Sequence, residues 1–129
     1  MPEKNGLPPH VHERLYEIFY VLEGEITFQI GTELFTAGAG TVVWIPPGTP
    51  HGFRVKTETA RALNMYLPGG FDDVVRLLGT PATARTLPPA GAIKEASLKQ
   101  NEAFMQRIRD LHTQSWADVP NLLETGENK

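Results

Sequence analysis

From Glu17 to Leu67 the apolar or alternating runs are short and nearly all are ended by glycine or proline, which leaves no room for a long helix. Glu17-Ile-Phe-Tyr-Val-Leu22 is aromatic and β-branched and stops at Glu23-Gly24. Glu25-Ile-Thr-Phe-Gln-Ile30 then alternates with period two. Its parity puts Ile26, Phe28 and Ile30 on one face of a strand and Glu25, Thr27 and Gln29 on the other. Gly31 turns the chain into Glu33–Thr36, Ala37-Gly-Ala-Gly40 turns it again, and Thr41–Ile45 follows. Pro46-Pro-Gly-Thr-Pro50 breaks that run, His51–Val55 resumes, and Ala60–Leu67 closes the series. Short strands at such close, regular spacing predict a sandwich or barrel.

Past Leu67 the pattern changes. Phe71–Leu78 follows Gly69-Gly70, carries Asp72 and Asp73 in its first turn and is followed by Gly79, which predicts a short helix. A Thr/Pro/Ala-rich connector runs over residues 80–92. From Glu95 to about His112, Leu98, Met105, Ile108 and Leu111 recur near a 3.6-residue period, as in an amphipathic helix. His112 then sits where a cation suits the helix C-terminus and is read as structural. From Trp116 to Lys129 the chain is expected to fray. Residues 1–70 thus read as a β core and 71–129 as a helical C-terminal extension of the same domain.

Composition narrows the function. The 129 residues hold 12 Lys plus Arg against 15 Asp plus Glu, a formal net charge of -3. Neither the balance nor any basic stripe fits a nucleic-acid partner. There is no cysteine, so any metal must be held by nitrogen and oxygen. The polar, proline-bearing start MPEKNGLPPH has no apolar signal region, and no apolar stretch approaches a membrane span. The expectation is a cytoplasmic protein without membrane contact.

Residues i and i+2 of a strand point the same way, about 6–7 Å apart along the chain. His10 and His12 can therefore aim both imidazoles at one point, as a metal grip does. Glu17 has the opposite parity, so a bend through Glu13-Arg14-Leu15-Tyr16 must reset the register if it is to join them. His51 is the next candidate, because the prolines of Pro46–Pro50 start it at a fixed position. Stiff support of that kind suits a metal ligand.

With these residues in place a resemblance emerges. His10-Val-His12, four residues, Glu17, six residues, Gly24 resembles the first cupin motif. Gly40, five residues, Pro46-Pro47-Gly48, two residues, His51 resembles the second. The likeness implies a mainly β fold, a small jelly-roll (double-stranded β-helix) barrel with C-terminal helices. It also implies that His10, His12, Glu17 and His51 bind one divalent transition metal: Fe, Ni, Mn, Co, Cu or Zn, with nothing in the ligand set to choose among them. There are departures from the pattern. Gly6 precedes His10 by less than the motif's usual spacing, and Val55 stands where the second motif usually ends in Asn. Only nine residues precede His10, where cupins usually have further strands. Either a partner chain or a C-terminal segment is expected to complete the barrel, or the chain is a trimmed form of a longer protein.

Within the cupins, Glu17–Gly24, Leu67-Pro-Gly-Gly-Phe71 and Leu78-Gly-Thr-Pro81 resemble single-domain proteins labelled quercetin dioxygenase-like. That resemblance implies an oxygenase acting on a small aromatic or enolic, flavonol-like compound, with Glu17 as the catalytic base. A carboxylate beside an apolar wall can have its pKa raised toward a useful value. Phe19, Phe28, Trp44, Phe53, Met65 and Tyr66 are candidate pocket residues, and by parity Phe19 and Phe53 are the foremost. The rival readings are a non-catalytic small-molecule sensor and a metal-dependent isomerase, lyase or cyclase. Apolar edge strands and the short N-terminus point to a homodimer.

Overall fold

The computed structural model describes residues 6–78, 81–87, 106 and 114–125. In chain order the elements are β1 (Gly6–His12), β2 (Tyr16–Glu23), β3 (Ile26–Ile30), β4 (Glu33–Ala37) and β5 (Val42–Ile45). There follow β6 (His51–Val55), β7 (Arg61–Leu67), α1 (Asp72–Leu78), β8 (Gln114–Trp116) and α2 (Leu122–Thr125). The strands form two sheets, ordered β4-β3-β6-β1-β8 and β5-β2-β7, with antiparallel pairing throughout. This is the expected mainly β jelly-roll architecture, and strands β2 to β7 coincide with the runs read from the sequence to within a residue or two.

The inner faces of the two sheets share one core. Phe19 and Val21 of β2 and Val43 and Ile45 of β5 meet Ile26, Phe28 and Val55 of the larger sheet. Val55, the residue at the position where the second motif usually has Asn, belongs to this apolar layer and is 1% exposed. Gly24 takes up the tight β2–β3 turn at φ +75°, a conformation that costs glycine nothing.

Strand β1 carries a bulge. Leu7 pairs with Phe53 and His10 with His51, so one extra residue lies between them on β1. Pro8 and Pro9 occupy the irregular stretch, where their missing N–H groups break no regular ladder. On its other side β1 pairs with β8, His10 opposite Trp116 and His12 opposite Gln114. A C-terminal segment therefore lengthens the larger sheet, which is one of the two completions anticipated.

The C-terminal end also departs from expectation. Rather than fraying from Trp116, the chain pairs with β1 and then lays α2 over the outer side of β3 and β6, with Leu123 5% exposed. Gln29 was expected on a solvated face with Glu25 and Thr27; it is fully buried. Its Nε2 donates to Pro120 O at 2.7 Å and Gly31 O at 3.0 Å, and its Oε1 accepts from Leu122 N at 2.9 Å. Gly52 makes room for the β1 bulge and for this cover, since a Cβ there would lie 2.8 Å from Leu7 O, 2.9 Å from Pro9 N and 3.0 Å from Leu123 Cδ1. Residues 81–87 of the connector are exposed, whereas the helix expected over 95–112, with His112, lies outside the described residues except for Gln106.

Gln29→Leu keeps the volume but removes the buried amide that bonds Leu122 N, Pro120 O and Gly31 O. The loss expected is about 1–3 kcal/mol, read as a lower Tm together with faster amide exchange at Leu122. A variant as stable as the parent would show that Gln29 does not tie α2 down.

Candidate metal centre

The four residues singled out from the sequence come from both sheets. His10 and His12 lie on β1 and His51 on β6 of the larger sheet, while Glu17 lies on β2 of the smaller one. The link between β1 and β2 bends at Glu13 and Arg14 and buries Leu15, carrying the chain from one sheet to the other. That crossing is the register reset Glu17 requires. The Pro46–Pro50 turn is held against β1 by a hydrogen bond from Gly48 N to His12 O of 2.8 Å. One ligand atom from each of the four residues lies within 4.8 Å of the others, and each residue is 2% exposed.

Second contacts decide which nitrogen each ring presents. His10 Nδ1 donates to Pro8 O at 2.9 Å and His51 Nδ1 donates to Thr49 O at 2.8 Å. A carbonyl only accepts, so both Nδ1 atoms carry the hydrogen and both Nε2 atoms are turned toward the cluster. Each carbonyl belongs to the residue two positions earlier, at the β1 bulge and in the proline turn. Neither ring nitrogen of His12 has a hydrogen-bond partner among the described residues; its Nε2 lies 3.1 Å from Glu17 Oε2 without the alignment of a hydrogen bond.

Glu17 Oε2 also lies 2.8 Å from His51 Nε2. With Nδ1 already protonated, a neutral His51 points a lone pair at a carboxylate lone pair. Only a positive charge between them, a proton or a metal ion, reconciles that contact. The other oxygen, Oε1, accepts from Tyr66 Oη at 2.9 Å and Asn64 Nδ2 at 3.2 Å. Both donors sit on β7, whose register sets Tyr66 opposite Glu17 and Asn64 opposite Phe19. Phe71, just before α1, stacks on the Tyr66 ring with centroids 3.8 Å apart and meets the His12 ring edge-on.

Burial, then the neighbouring His51 and His12 rings, lowers the pKa of His10 to about 3, so this imidazole is neutral and free to ligate. For Glu17 burial acts upward, but the contacts with His12 and His51 outweigh it and hold the carboxyl well below the usual range. The upward shift expected of a base beside an apolar wall is thus reversed, because imidazoles rather than hydrocarbon surround the carboxylate. Burial and then the charge on Glu17 push the Tyr66 phenol well above its ordinary value, which keeps it a donor.

Phe19 and Phe53 follow Glu17 and His51 on their strands, point to the same interior and touch at a ring separation of 5.3 Å. Phe19 is part of the core and Phe53 packs against it. Of the other aromatic and Met candidates, Trp44 and Met65 face outward at 53% and 38% exposure, whereas Tyr66 reaches the cluster. Asn64 was missed. Its trace in the sequence is a lone amide amid Ala62-Leu63-Asn64-Met65-Tyr66, sharing parity with Tyr66.

Comparison with known proteins bears on the family and the fold. The pattern of the cupin domain matches residues 1–66, half of the chain. The chain belongs to the cupin family. It is 24% identical to a quercetin 2,3-dioxygenase of Bacillus subtilis (strain 168) over 95% of its own length and 41% of that enzyme's. It is 32% identical to a quercetin 2,3-dioxygenase of Aspergillus japonicus over 65% of its length and 25% of that enzyme's. The chain therefore spans less than half the length of either relative. Among solved structures, KdgF from Halomonas sp. superposes with a TM-score of 0.54 at 23% identity, covering 57% of this chain and 66% of that one. This last likeness is one of fold. No described helix of this cupin is long and apolar enough to cross a membrane.

The donor set suits a divalent ion: three buried imidazoles, a buried carboxylate, and a lone-pair contact that calls for positive charge. Before metal is added, pH tests the cluster. Between pH 6.5 and about 3 the unfolded chain binds a proton at His10 that the folded chain refuses. Glu17, depressed in the fold, also takes up its proton first in the unfolded chain. Both shifts make stability rise with pH across this window. After chelation, Tm should be lower at pH 4 than at pH 7 by about 10 °C. Equal values would mean that the imidazole of His10 is not held neutral by burial.

Proposed function

We propose that this cupin is a metal-dependent enzyme of dioxygenase type, acting on a small aromatic or enolic compound through His10, His12, Glu17 and His51. The observation that carries the reading is the convergence of three buried imidazoles and a buried carboxylate, one ligand atom of each within 4.8 Å of the others. The likeness to two quercetin 2,3-dioxygenases supports the substrate class. A bound divalent ion would supply Lewis acidity and, beyond four protein donors, open positions for substrate oxygen and dioxygen.

The chain's own residues divide the remaining work. Pro8 O and Thr49 O hold two imidazoles in the tautomer that offers Nε2. Tyr66 and Asn64 hold Glu17 Oε1, leaving Oε2 for the centre. In this reading Phe19 and Phe53, packed in the core beside the cluster, would supply the apolar side of the substrate site. Glu17 is the carboxylate of the cluster and hence the base candidate. To accept a substrate proton on Oε1 it must first release one of its two donors, and its lowered pKa makes it a weak base.

That last point favours a second reading, a metal-bearing cupin that binds a small ligand without turning it over. Oxygen uptake by the metal-loaded protein across flavonols and catechols separates the two. Uptake supports the oxygenase, binding without uptake supports the sensor, and anaerobic turnover supports a Lewis-acid isomerase, lyase or cyclase.

Glu17→Gln and His12→Ala are each expected to abolish stoichiometric metal content by elemental analysis; full retention in both would rule this centre out. Tyr66→Phe removes one donor and keeps the ring on Phe71. The expected result is metal affinity about 10–100-fold weaker, measured by calorimetric titration. Unchanged affinity would deny Tyr66 its positioning role.

A further inference from the structure

The two histidines of β1 sit on a strand that β6 holds only in part. Leu7 pairs with Phe53 and His10 with His51, but between them the register slips at Pro8-Pro9. Neither proline has an N–H, so this stretch cannot donate to any ladder. Yet Pro8 O is the acceptor that fixes the tautomer of His10. The bulge that aims a metal ligand needs a hold from elsewhere.

That hold comes from the far end of the chain. Strand β8 lines the other side of β1, with Gln114 opposite His12, Ser115 opposite Val11 and Trp116 opposite His10. The next residue fastens the bulge itself, since Ala117 N donates to Pro9 O at 3.0 Å. The Trp116 ring meets the His10 ring edge-on, at 85° with centroids 6.5 Å apart. Three residues of strand make a weak hold alone. The anchor follows directly. Gln29 bonds Pro120 O and Leu122 N, Arg54 Nη1 donates to Leu123 O at 3.3 Å, and Leu123 is buried. Gln29 pairs with Gly52, and its neighbour Ile30 pairs with His51, so this anchor grips the outer side of the strand that carries the third histidine. Residues 114–123 thus brace both histidine-bearing strands, although none of them belongs to the ligand cluster.

We infer that residues 114–123 are a positioning segment for the metal centre, Trp116 and Ala117 holding His10 and its bulge, and that docking of this segment and binding of a divalent ion strengthen each other. The inference rests on the reading of the cluster as a metal site. A docked segment keeps β1 from being an edge strand, and edge strands open locally before the core does. Holding β1 shut keeps His10 and His12 aimed, which favours the ion. The ion, by holding the same two rings, must then disfavour release of the segment by an equal factor, because coupling between two binding events is reciprocal.

Calorimetric titration of zinc into the chelated full chain tests one direction. Gln29→Leu and Trp116→Ala should each bind zinc about 5–150-fold more weakly, although neither residue offers the ion a ligand. Trp116→Phe keeps an aromatic edge on His10 and should recover most of the loss. Leu34→Ala lies on β4, the opposite edge of the same sheet, and should bind as the wild type does. Amide hydrogen exchange tests the other direction with no substitution at all. Zinc should slow exchange at Ala117 and Leu122 more than at the amides of β4. Wild-type affinity in both Gln29→Leu and Trp116→Ala, or equal slowing at the two edges, would overturn the coupling. A wild type that takes up no zinc defeats the metal reading and this inference with it, whereas a zinc-binding chain whose two edges respond alike defeats this inference alone.

Discussion

A buried carboxylate surrounded by imidazole nitrogens is the constraint around which this molecule is arranged. Glu17 is 2% exposed, and an ionised group so placed is sustained only by opposite charge and by hydrogen bonds to both oxygens. Oε1 has two donors from β7. Oε2 faces His51 Nε2, whose ring already gives its Nδ1 hydrogen to Thr49 O, and so that contact needs a proton or a metal ion. Glu17 comes from one sheet and the histidines from the other, so the same cation that settles the lone pairs would also tie the two sheets together.

The irregular parts of the backbone serve this centre. The bulge at Pro8-Pro9 lets Pro8 O take the Nδ1 hydrogen of His10, and the proline turn lets Thr49 O do the same for His51. The bend at Glu13-Arg14 changes sheets and, with it, the direction in which Glu17 faces. Regular strands supply the apolar layer of Phe19, Phe28 and Val55 behind it. Rigidity thus comes from the core, and aim comes from the turns.

The smaller sheet has two tasks on its two faces. Inward, β2 and β7 bring Glu17, Asn64 and Tyr66 to the cluster. Outward, the same strands present Tyr20, Leu63 and Met65, a surface suited to protein rather than water. Alternate residues along a strand serve opposite faces, so the metal site and the outer apolar face share no side chain.

Much of this was legible before any coordinates. Period-two alternation and Gly/Pro punctuation located β2 through β7, because those signals are local. The four candidate ligands were legible because short spacings carry parity and because both motifs fall in one stretch of chain. What stayed hidden was non-local. Gln29 reads as a solvated residue until residues 120–122 fold over it, and β8 is too short to announce itself without β1 beside it. The base-like pKa expected of Glu17 failed for the same reason: its value depends on which groups stand next to it in space. Sequence determined the strand order of residues and the chemistry available at each; tertiary structure decided which groups share a cavity, because burial, charge and hydrogen-bond partners belong to neighbours in space and not along the chain.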